Sequence, residues 1–276
     1  MNNPLSYSSV KLDVFSKDGA SLKPASGFVV EAREQYYLIT NRHVVSREDI
    51  PASDPQEPVI KPHILKTSIH IYTREAEKTA PLSLGVRQRI TLRLYDENDA
   101  PRWVEPQADG QRQSVADVVA LSIPQNLALR LFSGKIQGMN VNVGYWPNYE
   151  LYYWSKISAI PISAIDTDVE YGPPDTVYVI GYPLAWPPAA TYKFNAAFWR
   201  TCSIASENSA VGMSQANAFF VDPCALEGMT GSPVVGMKDN RTKLLGVYSD
   251  RSPADFGADA GLVWDSFLVK ELIGAV

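Results

Sequence analysis

The chain has 276 residues, of which 45% are hydrophobic and 11% aromatic, enough to bury one large core or two small ones without metal or disulfide staples. A formal charge of -5 at pH 7 leaves no basic footprint, which argues against nucleic acid or an anionic membrane as partner. Residues 1–7 hold neither a basic nor an apolar stretch, no later run approaches the roughly 18 apolar residues of a spanning helix, and the only cysteines are Cys202 and Cys224; a soluble, unexported chain in a reducing, bacterial-type cytoplasm is expected.

In chain order, alternating or β-branched apolar runs predict a first group of six strands over 10–15, 27–32, 35–40, 68–72, 89–95 and 115–123, with turn signals at Asp18-Gly19 and Asp96-Glu97-Asn98. Residues 46–62 are polar and proline-bearing and read as a surface excursion. Residues 124–174 read as a connection with decoration, its aromatics Tyr145, Trp146, Tyr152, Tyr153 and Trp154 packed on the outside of the fold. A second group of six strands follows over 177–181, 199–206, 218–221, 232–237, 243–249 and 261–264. A helix over 265–273 closes the chain, with Asp265 as N-cap candidate and apolar residues at i, i+3/i+4 spacing. His63 and His70 show no metal-ligand spacing, and neither a metal nor a cofactor is expected.

Three segments carry chemistry. Tyr37-Leu38-Ile39-Thr40-Asn41-Arg42-His43-Val44-Val45 is an apolar strand running into a histidine, and Val115-Ala116-Asp117-Val118-Val119-Ala120-Leu121 places a lone carboxylate in an apolar run where it has no packing reason to sit. In Gly228-Met229-Thr230-Gly231-Ser232-Pro233, the glycines permit a tight turn that aims successive backbone N–H groups at one point. A hydroxyl, an imidazole and a carboxylate are the parts of a relay in which the base takes the nucleophile's proton and the acid fixes the base's tautomer.

These segments resemble those of chymotrypsin-like serine peptidases, in particular the bacterial trypsin-like ones. Thr40-Asn41-Arg42-His43-Val44 is similar to the T-x-x-H-V signature of the general base. The segment from Asp117 to Leu121 is similar to the one that supplies the orienting aspartate, and Gly228 to Pro233 is similar to the nucleophile loop. The order His43, Asp117, residue 230 is the chymotrypsin order, not that of subtilisin or the α/β-hydrolases. The likeness continues through Val177-Tyr178-Val179-Ile180-Gly181-Tyr182-Pro183 and Leu244-Leu245-Gly246-Val247-Tyr248-Ser249, and spans most of the chain from about Gly27 onward.

The resemblance implies an all-β fold of two antiparallel six-stranded barrels with a short C-terminal helix: 1–124 a barrel carrying His43 and Asp117, 125–174 the connection, and 175–276 a barrel carrying the loop. It further implies serine-type endopeptidase chemistry on a protein or peptide substrate, with His43, Asp117 and Thr230 catalytic and the N–H groups of Gly228 and Thr230 as oxyanion hole. Cys224 and Ala225 would form the base of the primary pocket, Ser249, Asp250 and Arg251 one wall, and Gly261, Leu262 and Val263 the other. No carboxylate stands at the base, so a trypsin-like Arg/Lys preference is not expected, and Arg251 could accept an acidic side chain.

Two residues depart from the family. Methionine at 229 stands where secreted trypsins carry the aspartate that pairs with a released N-terminal amine, so activation by processing is not expected. Threonine at 230 keeps the hydroxyl but adds a methyl that restricts χ1 and crowds the imidazole or the scissile carbonyl. An enzyme of reduced or specialised activity, a catalytically silent pseudo-peptidase that binds protein, and a serine replaced by design all fit the sequence. An acyl transferase on small esters is a weaker alternative, and no residue pattern signals an oligomeric state.

Overall fold

A computed structural model describes residues 5–46, 60–75, 84–106, 116–124, 153–165, 169–184, 197–206, 217–223, 225–238, 241–249 and 260–274. The N-terminal half is one sheet of nine strands: β1 (Ser9–Ser16), β2 (Ala25–Ala32), β3 (Gln35–Thr40), β4 (Pro62–Glu75), β5 (Leu84–Arg93), β6 (Trp103–Val104), β7 (Val119–Ile123), β8 (Tyr153–Ile157) and β9 (Ile160–Pro161). Its main path runs β5-β4-β1-β2-β3-β7-β6, with β8 added to β4 and β9 to β2. All neighbours are antiparallel except β9, which lies parallel to β2.

The C-terminal half is a closed barrel of six strands in the order β10-β11-β12-β15-β14-β13: β10 (Thr176–Gly181), β11 (Phe198–Ile204), β12 (Ala218–Asp222), β13 (Pro233–Lys238), β14 (Arg241–Ser249) and β15 (Gly261–Asp265). Closure through the β10–β13 pair leaves this sheet without an edge. A helix, Ser266–Gly274, follows directly. The Phe267 N–H donates to Asp265 Oδ1 at 2.8 Å, so the expected capping residue does hold the helix start.

The class is all-β, as expected, and each of the six C-terminal strands falls where its pattern places it. The N-terminal half departs from six strands. The main path ends at β5 and β6, which do not pair with each other among the described residues. Two extra strands, β8 and β9, come from the segment read as connection; the aromatics at 145, 146 and 152 lie outside the described residues.

Three apolar clusters explain the sequence pattern. One fills the N-terminal sheet with Val10, Leu12, Leu38, Leu65, Val119 and Leu121. Another fills the barrel with Val177, Val179, Phe219, Val221, Val234 and Val263. The third lies between the halves, joining Phe28, Ile39 and Ala120 to Ile180, Val247, Trp264 and the helix residues Leu268 and Leu272. On β3 Leu38 points into the first cluster and Ile39 into the third; on β7 Leu121 and Ala120 do the same. Strands buried on both faces read as continuous apolar runs rather than alternation, which is the pattern seen around Asp117.

Candidate active site

The β2–β3 hairpin turns on Arg33 and Glu34, both at positive φ (49° and 65°), the geometry a two-residue type I′ loop requires. β3 then delivers the chain to a single helical turn, Arg42–Val45, which carries His43. β7 pairs with β3 so that Val119 lies opposite Thr40, and this register brings Asp117, two residues earlier, alongside His43.

The contact is double. The backbone N–H of His43 donates to Asp117 Oδ1 at 2.9 Å, and His43 Nδ1 lies 2.6 Å from Asp117 Oδ2. Asn41 Nδ2 donates to the Asp117 carbonyl at 2.6 Å, and Ser249 Oγ reaches Asp117 Oδ2 at 3.4 Å from the other half of the molecule. The side chains of His43 and Asp117 are 10% and 13% exposed, so their attraction is poorly screened.

The Gly228–Ser232 segment forms the expected tight turn. Gly228 and Gly231 sit at φ +91° and +87°, where a side chain is strained, and a Cβ on Gly231 would collide with the Ser26 carbonyl. The Met229 N–H donates to the Leu226 carbonyl (3.1 Å), that of Gly231 to Tyr248 (2.9 Å) and that of Ser232 to Met229 (3.0 Å). The N–H groups of Gly228 and Thr230 donate to no acceptor among the described residues. Buried donors are nearly always paired, so these two groups are open to an acceptor from beyond the described residues. Thr230 is 5% exposed, whereas Ser232 and Met229 are fully buried, Met229 in the barrel interior.

Ser26, at the start of β2, ties this loop to the N-terminal half. Its N–H donates to the Thr230 carbonyl (2.9 Å) and its Oγ to the Gly228 carbonyl (2.9 Å). The same Oγ accepts the Tyr182 N–H (2.9 Å), and Thr40 Oγ1 donates to the Ser26 carbonyl (2.9 Å). At the surface, Lys23 Nζ pairs with Glu227 Oε1 at 2.8 Å and its hydrogen bond holds that carboxyl below the usual range; both side chains are more than half exposed, so the pair adds little stability.

Of the expected pocket residues, Ala225, Ser249, Gly261, Leu262 and Val263 are buried around the end of β14 and the start of β15, while Cys224, Asp250 and Arg251 lie outside the described residues. Cys202 is buried on β11. His63 and His70 both lie on β4 away from this site, His70 with its ring 4.8 Å from that of Tyr7. Among the described residues no group of three or more His, Cys, Asp or Glu converges on a metal-binding arrangement. Sequence gives no role to Ser26 or Tyr248, and Thr40 and Asn41 stand there only within the histidine segment; the burial that marks all four is a property of the fold.

No protein-family model and no curated protein matches the chain. Among solved structures it is similar to the active form of the Rv3671c protease from M. tuberculosis, at 14% sequence identity and a TM-score of 0.45, over 98% of this chain and 81% of that one.

Proposed function

We propose that this protein is a serine-type endopeptidase scaffold in which His43, Asp117 and residue 230 form the catalytic relay and Thr230 lowers its rate. The observation that carries the reading is the double contact of His43 with Asp117, together with a turn, tied to the same half through Ser26, whose Gly228 and Thr230 N–H groups lack acceptors among the described residues. With Nδ1 held by the carboxylate, Nε2 takes the proton of the residue-230 hydroxyl as its oxygen attacks the peptide carbonyl. The carbonyl oxygen, now negative, accepts from the Gly228 and Thr230 N–H groups, each worth on the order of 3 kcal/mol in the transition state. His43 then passes the proton to the leaving amine, and a water repeats the sequence to release the acyl group.

A catalytically silent protein-binding module is the second reading, favoured by the β-methyl of Thr230 in a residue only 5% exposed, where the hydroxyl has little freedom to turn. The test compares the chain as it stands, Thr230→Ser, and Thr230→Ser with His43→Ala, using a fluorophosphonate probe and an unfolded protein substrate. Serine at 230 is expected to raise labelling and cleavage by about tenfold or more, a gain bounded above by the roughly 10²–10⁴-fold that general-base assistance supplies. Loss of that gain with His43→Ala supports the peptidase; silence in all three folded proteins leaves binding as the function. Cleavage of small esters with unfolded protein left intact would mark an esterase.

A further inference from the structure

We propose that Tyr248 closes the primary side-chain pocket from beneath and limits this site to substrates with a small residue, glycine, alanine or serine, on the acyl side of the scissile bond. The inference rests on the peptidase reading above for the position of the scissile carbonyl, and on the packing of Tyr248 for the rest.

A carbonyl with its oxygen between the Gly228 and Thr230 N–H groups and its carbon against the residue-230 hydroxyl is fixed at three points. The side chain next to it must then enter the space bounded by the segment from Ala225 to Gly228, the end of β14 and the start of β15. Tyr248 stands at the junction of all three. Its N–H donates to the Ser232 carbonyl and its carbonyl accepts from the Gly231 N–H, both at 2.9 Å, so its backbone lies directly behind the nucleophile turn. Its hydroxyl accepts the Ala225 N–H at 2.9 Å, which fixes the far end of the side chain against the opposite wall. Its ring lies on Gly261: a Cβ there would meet the hydroxyl oxygen at 2.9 Å and Cζ at 3.0 Å, with Cε2 nearer still. Only glycine at 261 leaves room for the ring.

The direction of Tyr248 has a local cause. Val234 pairs with Gly246 and Val235 with Leu244, leaving Leu245 as the extra residue of a β-bulge. The bulge shifts the alternation by one, so that Leu245 and Tyr248 point into the barrel while Val247 faces the other half and Ser249 Oγ reaches Asp117. Tyr248 is 1% exposed and Ala225 8%, so the space between the walls is occupied by protein rather than left for a long side chain. A substrate that pushed the ring aside would strip the Ala225 N–H of its acceptor, an additional cost to entry.

The experiment uses the Thr230→Ser protein and matched peptide amides that differ only in the acyl-side residue: Ala, Val, Phe, Lys or Asp. In parallel, calorimetry measures binding of the corresponding peptide acids to the chain as it stands. Ala is expected to exceed Phe, Lys and Asp by about tenfold or more in kcat/KM, the range that pocket volume alone supplies. Tyr248→Leu, which opens the floor, is expected to reduce the Ala-to-Phe ratio at least about tenfold by raising the Phe rate, a change in selectivity that a general loss of stability does not produce. If Tyr248→Leu does not fold, the profile of the parent decides. Turnover with Phe, Lys or Asp equal to or above Ala overturns the proposal and leaves the peptidase reading standing. Absent turnover with tighter binding of the Ala acid overturns the peptidase reading and supports the closed pocket, whereas absent turnover and absent binding overturn both.

Discussion

Replacing Ser26 with alanine deletes a single oxygen from a fully buried side chain, yet that oxygen serves two partners. It donates to the Gly228 carbonyl and accepts the Tyr182 N–H, each at 2.9 Å, and alanine leaves both groups facing a methyl. An orphaned buried polar group costs about 1–3 kcal/mol, so the pair sums to about 2–6 kcal/mol. Because Tyr182 is only half-buried, the expected loss is in the lower part of that range, about 2–4 kcal/mol. Against a total stability of about 5–15 kcal/mol this is a large share. Urea unfolding followed by tryptophan fluorescence reads it as a lower midpoint at unchanged slope. The Gly228 carbonyl also fixes the peptide unit on one side of the proposed oxyanion donors, so in the Thr230→Ser background fluorophosphonate labelling should slow under conditions where the protein is still folded. Thr40→Val, which removes one donor from the Ser26 carbonyl at nearly constant shape, should cost only about 1 kcal/mol. A Ser26→Ala loss below about 1 kcal/mol, or no greater than that of Thr40→Val, would refute the assignment of Ser26 as the clamp of this loop.

Three further outcomes follow from the geometry. Asp117→Asn in the Thr230→Ser background should keep an acceptor for the His43 N–H while losing the carboxylate on Nδ1, lowering cleavage roughly 10³–10⁴-fold with little change in unfolding midpoint. Gly231→Ala should destabilise the protein by at least about 2 kcal/mol, because φ of +87° is strained for alanine and its Cβ meets the Ser26 carbonyl; circular dichroism melting of the purified variant checks it. Hydrogen bonds from Lys238, and then from the Gly172 N–H, hold the Asp175 carboxyl below its usual range. A lowered carboxylate stabilises the fold above the ordinary carboxylate range, and that contribution disappears as pH falls through the lowered value. Asp175→Asn should therefore destabilise at neutral pH, with the difference from the parent vanishing in strong acid by unfolding titrations at several pH values.

The C-terminal barrel was legible because each strand is short, apolar and bounded by turn residues, and because Asp265 signals the helix start in sequence and supplies the cap in structure. The His43–Asp117 contact and the Gly228–Gly231 turn could be anticipated for a different reason: each of the segments involved is contiguous and can be read without knowing the fold. The N-terminal half was harder. β4 runs for 14 residues, but His63, Lys66 and Thr67 interrupt its apolar pattern and only 68–72 reads as strand. β8 extends the sheet by pairing with the far end of that long strand, so without the length of β4 nothing in 153–157 indicates a partner. Ser26 and Tyr248 were invisible because their roles are defined by what the fold sets against them. The hydrogen bond from Ser26 to Gly228 joins positions 202 residues apart, and Tyr248 turns inward only because a bulge at Leu245 reverses the alternation a reader would count.

One hairpin carries both ends of the proposed relay. β3 leads into His43, and β2, its partner across the Arg33-Glu34 turn, carries near its start the serine that grips the Gly228 and Thr230 carbonyls. A sliding displacement between the halves would ordinarily change the spacing of His43 and Thr230, because the two are contributed by different halves. Here the strand pair that moves the imidazole also drags the nucleophile turn, so the two travel together under small shear. The arrangement behaves as a mechanical coupling: a distortion of the interface that leaves the β2–β3 pair intact should be taken up elsewhere before it alters the spacing of His43 and Thr230.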